Sequence, residues 1–126
     1  MDNNNISIQE RTKTFAVRCV KAYCELNNRH YDDAGKVLAK QFLRSSTSIG
    51  ANVSESEFAE STSDYIHKLR IALKEAGETR FWVDLMIESK LIQAQKFSLL
   101  LEENNRIIRI LIHIINKIES KQKQAR

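Results

Sequence analysis

A chain of 126 residues with no proline, three glycines and 42% hydrophobic content is long enough for one core and too short for two. Turn-rich β folds need far more Gly and Pro punctuation, so the composition excludes them and favours a single all-α domain over residues 1–126. The formal charge of +4 is compatible with a nucleic-acid partner but does not single one out, because solvated helical proteins often carry as much.

Residues 1–6 are polar, have neither the basic start nor the apolar run of a signal peptide, and are expected to fray. The first helix is predicted to start at Ser7, an N-cap with Glu10 three residues on, and to end at Asn27–Asn28. Ile8, Phe15, Cys19, Ala22 and Leu26 form its apolar seam. Cys19 and Cys24, five apart on one helix, are poorly placed for a disulfide, which implies reduced thiols and a cytoplasmic protein. Residues 29–33, with His30, form a short polar connection.

A second helix is expected from Asp33 to Phe58, with Val37, Leu38, Phe42, Ile49 and Val53 inward, and with Gly50 admitting a neighbouring backbone. The third begins at the capping box Ser61–Thr62–Ser63–Asp64 and runs through Leu69, Ala72, Ala76 and Val83 to about Lys90. Its Gly77 is read as a second place of close packing. Phe81, Trp82 and Leu85 widen its apolar face.

The fourth helix is predicted from Ala94 to Lys121, with residues 122–126 frayed. Ile107, Ile108, Ile110, Leu111, Ile112, Ile114, Ile115 and Ile118 cover roughly 200° of its circumference. One core needs little more than ~100°, so this arc implies a second apolar contact, with another subunit. Helices of this length joined by short connections must run antiparallel, giving an up-down-up-down four-helix bundle. No apolar run reaches the length of a membrane span.

No constellation of chemistry-bearing residues stands out. Di-iron bundles pair carboxylates with Glu-x-x-His motifs, and no such motif occurs here; Asp64-x-x-His67 lies at a helix start. No nucleophile–base spacing and no phosphate-cradling glycine loop is present, so neither an enzyme, a cofactor, a metal nor a small-molecule substrate is expected. Arg106, Arg109, His113, Lys117 and Lys121 fall in a narrow arc opposite the isoleucines, with Lys123 and Arg126 beyond. They are either a solvated face or a phosphate-contacting stripe. Arg106 and His113 also resemble, loosely, the Arg-x(4–6)-His motif of the HEPN helical-bundle ribonucleases. Ile107 stands where that motif is usually polar.

The stretch Gln41–Glu55 looks like a loop by composition, with five hydroxyl residues, Gly50 and Asn52, yet its spacing is helical. Gln41, Arg44, Ser48, Asn52 and Glu55 form a polar stripe beside the apolar Phe42, Ser45, Ile49 and Val53. Such a stripe is partly buried and needs partners, and Glu75 or Glu78 on the third helix is the expected one for Arg44.

These residues also resemble a known family, the four-helix-bundle proteins encoded in intervening sequences of bacterial 23S rRNA genes. Its signature Q-x-x-R-S-x-x-S-I-x-x-N-[IV]-x-E is matched by Gln41, Arg44, Ser45, Ser48, Ile49, Asn52, Val53 and Glu55. Tyr65, Leu69, Ala72, Ala76 and Glu78 continue the likeness. Glu75 departs from the family's usual Ser, and Ser56 from its usual Gly. The resemblance implies an antiparallel bundle that assembles into a ring, commonly a homopentamer, and it carries no catalytic residues. A related branch, the accessory variability determinants of diversity-generating retroelements, binds nucleic acid and a reverse transcriptase. The expectation is therefore a non-enzymatic homo-oligomer binding RNA or an RNA-containing complex. A protein-interaction adaptor is the alternative, and a HEPN-like ribonuclease a more distant one.

Overall fold

The computed structural model describes residues 6–28 and 32–125, which form four α-helices: α1 Ile8–Asn27, α2 Asp33–Ser56, α3 Thr62–Glu88 and α4 Ala94–Gln124. Residues 1–5, His30 and Arg126, for which fraying, a loop position and added basic charge were expected, lie outside the described residues. Each helix packs on its two neighbours in the order α1–α2–α3–α4–α1, and across one diagonal the Phe42 ring of α2 meets the Phe97 ring of α4 edge-on, 6.0 Å between centroids. Contact pairs run in opposite directions along the chain. Ser45 meets Thr79 and Glu55 meets Lys68, while Thr12 lies beside Gly50. The bundle is antiparallel, up-down-up-down.

The helix starts are set by local chemistry. Ser7 Oγ accepts from the Glu10 N–H at 3.1 Å, and Ser61 Oγ accepts from the Asp64 N–H at 3.0 Å. Asp32 does the same for Gly35 at 3.0 Å, a cap the sequence reading did not use. At the end of α3, Lys90 takes the left-handed conformation (φ 61°), while Leu91 N–H bonds Met86 O and Lys90 N–H bonds Ile87 O. This is a Schellman motif with lysine where glycine is usual. α2 stops at Ser56, short of Phe58, because Glu57, Phe58 and Ala59 turn into three-residue hydrogen bonds instead. α4 continues three residues past Lys121.

Phe15, Phe42, Ile49, Leu69, Met86, Ile107 and Leu111 fill the centre. Two expectations fail. Val37 is 56% exposed, because it lies on the outer side of α2, off the Phe42–Ile49–Val53 line. Gly77 does not mark a close approach: a Cβ built there meets nothing within 4 Å. Gly50 does mark one, since its Cβ would lie 3.2 Å from the Thr12 carbonyl oxygen of α1.

The helices are not flush at their ends. Arg11 meets Glu103 across α1 and α4, and α1 begins only three residues before Arg11. α4 runs on from Glu103 to Gln124, about 30 Å at 1.5 Å per residue. The second half of α4 lies along α3, with Arg70 reaching Glu119 at 2.7 Å, and Ile118 comes beside Ser56, Glu57 and Ala59 at the end of α2.

Candidate nucleic-acid interface

The isoleucine-rich sequence of α4 divides by helical angle. Phe97, Leu100, Asn104, Ile107, Leu111 and Ile115 are buried. Ile108, Ile110, Ile114 and Ile118 pack half-buried on either side, and Ile112 is 41% exposed. The wide arc is therefore largely occupied within one chain, leaving its edges open to solvent.

On the opposite face Arg109, His113, Lys117 and Lys121 are exposed. Glu119 is the one carboxylate of α4 after Glu103, and it is turned aside to Arg70. Among the described residues no ion pair engages Arg109, Lys117 or Lys121. The outer face of the second half of α4 is thus cationic without internal neutralisation. His113, Asn116, Lys117, Ser120, Lys121 and Gln124 line a shallow hollow of ≈ 410 Å³ there.

Arg106 stands apart from the other four. Its guanidinium lies 3.6 Å from Glu103 and it lines a separate cleft of ≈ 460 Å³ between α1 and α4. Arg11, Arg18, Glu10, Glu102 and Glu103 share that cleft, so positive charge there is matched by carboxylates. Arg106 and His113, the two residues of the Arg-x6-His spacing, therefore open on different hollows.

The polar stripe of α2 meets α3 as a network. Arg44 donates to Glu75 at 3.2 Å and to Glu78 at 2.9 Å, engaging both of the carboxylates expected as alternatives. Its Nε donates to Gln41 Oε1 at 3.2 Å. The Glu78 hydrogen bond raises the Arg44 pKa, against a small opposing effect of burial. Burial holds the Glu75 carboxyl above its ordinary range despite Arg44, whereas the Arg44 hydrogen bond holds Glu78 below it. Ser45 Oγ accepts from the Thr79 hydroxyl at 2.9 Å in the buried seam. Ser48 and Asn52 bond backward to Arg44 O and Ser48 O of their own helix. Glu55 pairs with Lys68 at 3.1 Å. Ile49 is fully buried. The stripe is a helix-joining device, with its cations already spent.

Two buried polar residues were not anticipated. Arg11 is 6% exposed and places one guanidinium nitrogen 3.0 Å from each oxygen of Glu103. Asn104 is 1% exposed and donates to Ala76 O at 2.9 Å. The signal was present, since both stand at core spacing: Arg11 between Ile8 and Phe15, Asn104 between Leu100 and Ile107. Among the described residues no group of three potential metal ligands converges, and no helix is long and apolar enough to cross a membrane.

The model of the family described as 23S rRNA-intervening sequence protein matches residues 4–113. That range contains the whole α2 signature and ends inside the cationic face, before Lys117 and Lys121. A crystal structure of a protein of unknown function from the S23 ribosomal protein family of Bacteroides thetaiotaomicron is 40% identical, with a TM-score of 0.79. The match covers 86% of this chain and 98% of that one. No match is found among curated proteins. With the family model spanning most of its length and the bundle and its α2–α3 network in place, the chain belongs to the 23S rRNA-intervening sequence protein family.

Proposed function

We propose that this protein is a non-enzymatic, cytoplasmic, self-associating bundle that binds RNA, or an RNA-containing complex, through the outer face of α4. The observation that carries the reading is the row Arg109, His113, Lys117 and Lys121, exposed along the second half of α4, where the one carboxylate, Glu119, is turned aside to Arg70. Such a row contacts phosphates without reading bases, since no aromatic side chain lies among the cations to stack on. Arg106, beside Glu103, extends the row less effectively. Self-association, as the homopentamer that the resemblance suggested, is supported by Ile112 and by the half-buried Ile110 and Ile114 of α4.

Binding to RNA is to be followed by fluorescence anisotropy over a range of salt. The affinity should fall steeply with salt, and Arg106→Glu/Arg109→Glu/Lys117→Glu should reduce the log–log slope by about 2, near 0.7 for each lost phosphate contact. An unchanged affinity in the triple variant removes this face from the function. Light scattering that finds a monomer at micromolar concentration removes the self-association. The second reading, a protein-interaction adaptor, is favoured by the exposed Phe58, Phe81 and Leu99. Partner capture that survives nuclease treatment would select it.

A further inference from the structure

Phe58 is the most exposed large apolar side chain among the described residues, at 82%. It is not on a loose loop. The Glu57, Phe58 and Ala59 N–H groups bond to Ser54, Glu55 and Ser56 carbonyls at 3.2, 3.0 and 3.2 Å. Glu60 N–H bonds to Asp64 Oδ2 at 3.2 Å, and Ser61 then caps α3. Every residue from Glu57 to Glu60 is tied to one helix end or the other, so the aromatic ring is presented on a fixed platform. An apolar anchor held this way loses little conformational entropy on binding, which is the usual property of an interface hot spot.

The surroundings of the ring restrict its partner. Glu57 and Glu60 are exposed on either side, and among the described residues no cation pairs with them. A phosphate-bearing partner is repelled there, whereas a cationic surface with a hollow is attracted. This chain has such a surface: the ≈ 410 Å³ hollow between His113, Lys117 and Lys121, which holds no carboxylate. An aromatic ring laid along that shallow groove would have the lysines over its face while they meet the flanking carboxylates. Phe58 cannot fill the hollow of its own chain, because it is uncovered there.

We infer that the Phe58 loop of one copy docks into the cationic hollow on α4 of a second copy, joining two different patches of the same chain. The contact is heterologous, and it covers Lys117 and Lys121, so the self-contact and RNA compete for one face. This inference rests on the reading of that face as an anion-binding surface.

Sedimentation velocity across a concentration series tests it, with circular dichroism to confirm that each variant is folded. Phe58→Ala should weaken association about thirtyfold, the loss typical of one hot-spot residue. Glu57→Lys/Glu60→Lys and Lys117→Glu/Lys121→Glu should each associate more weakly than wild type alone, and should recover when mixed with each other. Wild-type affinity in Phe58→Ala, or two charge-reversed variants that stay apart on mixing, overturns the docking. RNA binding measured on Phe58→Ala, whose hollow is open, should equal or exceed wild type. Loss of RNA binding by wild type and Phe58→Ala alike would end the RNA reading and leave the self-contact standing.

Discussion

Arg11 Nη1 lies 3.0 Å from both carboxylate oxygens of Glu103 across the seam between α1 and α4, the pair of helices that meet least closely. With side chains 6% and 15% exposed, neither charge is well solvated without the other. Removing one partner takes the 3.0 Å contact from the other buried charge, with Arg106 still 3.6 Å from Glu103. Arg11→Ala or Glu103→Ala should therefore cost about 3 kcal/mol in urea denaturation, whereas Arg11→Met/Glu103→Leu should recover most of that loss. Equal costs for the single and double variants would show that the seam depends on the ion pair itself.

The two mid-helix glycines should respond in opposite directions. At Gly50 a methyl group would press on the Thr12 carbonyl at 3.2 Å, and that oxygen is backbone of a packed helix. Gly50→Ala should destabilise by about 1 kcal/mol despite its better helix propensity. At Gly77 the added methyl meets nothing, so Gly77→Ala should stabilise by about 0.5–1 kcal/mol. Thermal melts of the two variants make the comparison directly.

Glu75 and Glu78 share Arg44 but not its effect. Glu78 is held below the ordinary carboxylate value of 4.5, so it contributes stability above that pH and loses it as pH falls through its lowered value. Glu75 is held above that value by burial, so its native state gains relative stability as it takes up a proton on acidification. Glu78→Gln should thus cost more than Glu75→Gln at pH 7. The gap should narrow as pH drops below about 4, a trend that denaturation at several pH values can follow.

The cysteines should differ in reactivity. Burial pushes the Cys19 thiol up to about 12, against a Ser46 hydrogen bond and nearby Arg18 that lower it, and its surface is fully covered. Cys24 is exposed and free. An aromatic disulfide reagent at about pH 8 should modify one thiol per native chain at once, and the second only at the rate of unfolding. Two fast thiols would mean that α1 opens locally near Cys19.

What could be read without coordinates was whatever depends on a short window of chain. The helix count follows from apolar spacing, and two of the caps from a hydroxyl three residues ahead of an acidic residue, as Ser7–Glu10 and Ser61–Asp64 show. The α2 signature was legible too, because its hydroxyl and amide residues sit at helical spacing beside a buried stripe. Gly50 and Gly77 were not distinguishable, since the difference lies in what stands across from each, and that belongs to another helix. Val37 looked inward for a similar reason: a valine near the start of a helix carries no mark of which side is covered.

The cationic arc of α4 was determined by sequence alone, since residues three and four apart on one helix must share a face. Its present form was decided by tertiary structure. The Arg11–Glu103 contact draws Arg106 into a charge-matched cleft, while Arg109, His113, Lys117 and Lys121 stay on the open outer face of α4. Helical period sorts side chains around an axis. How far one helix slides along another depends on which buried groups can be paired, and no local stretch of chain contains both halves of such a pair.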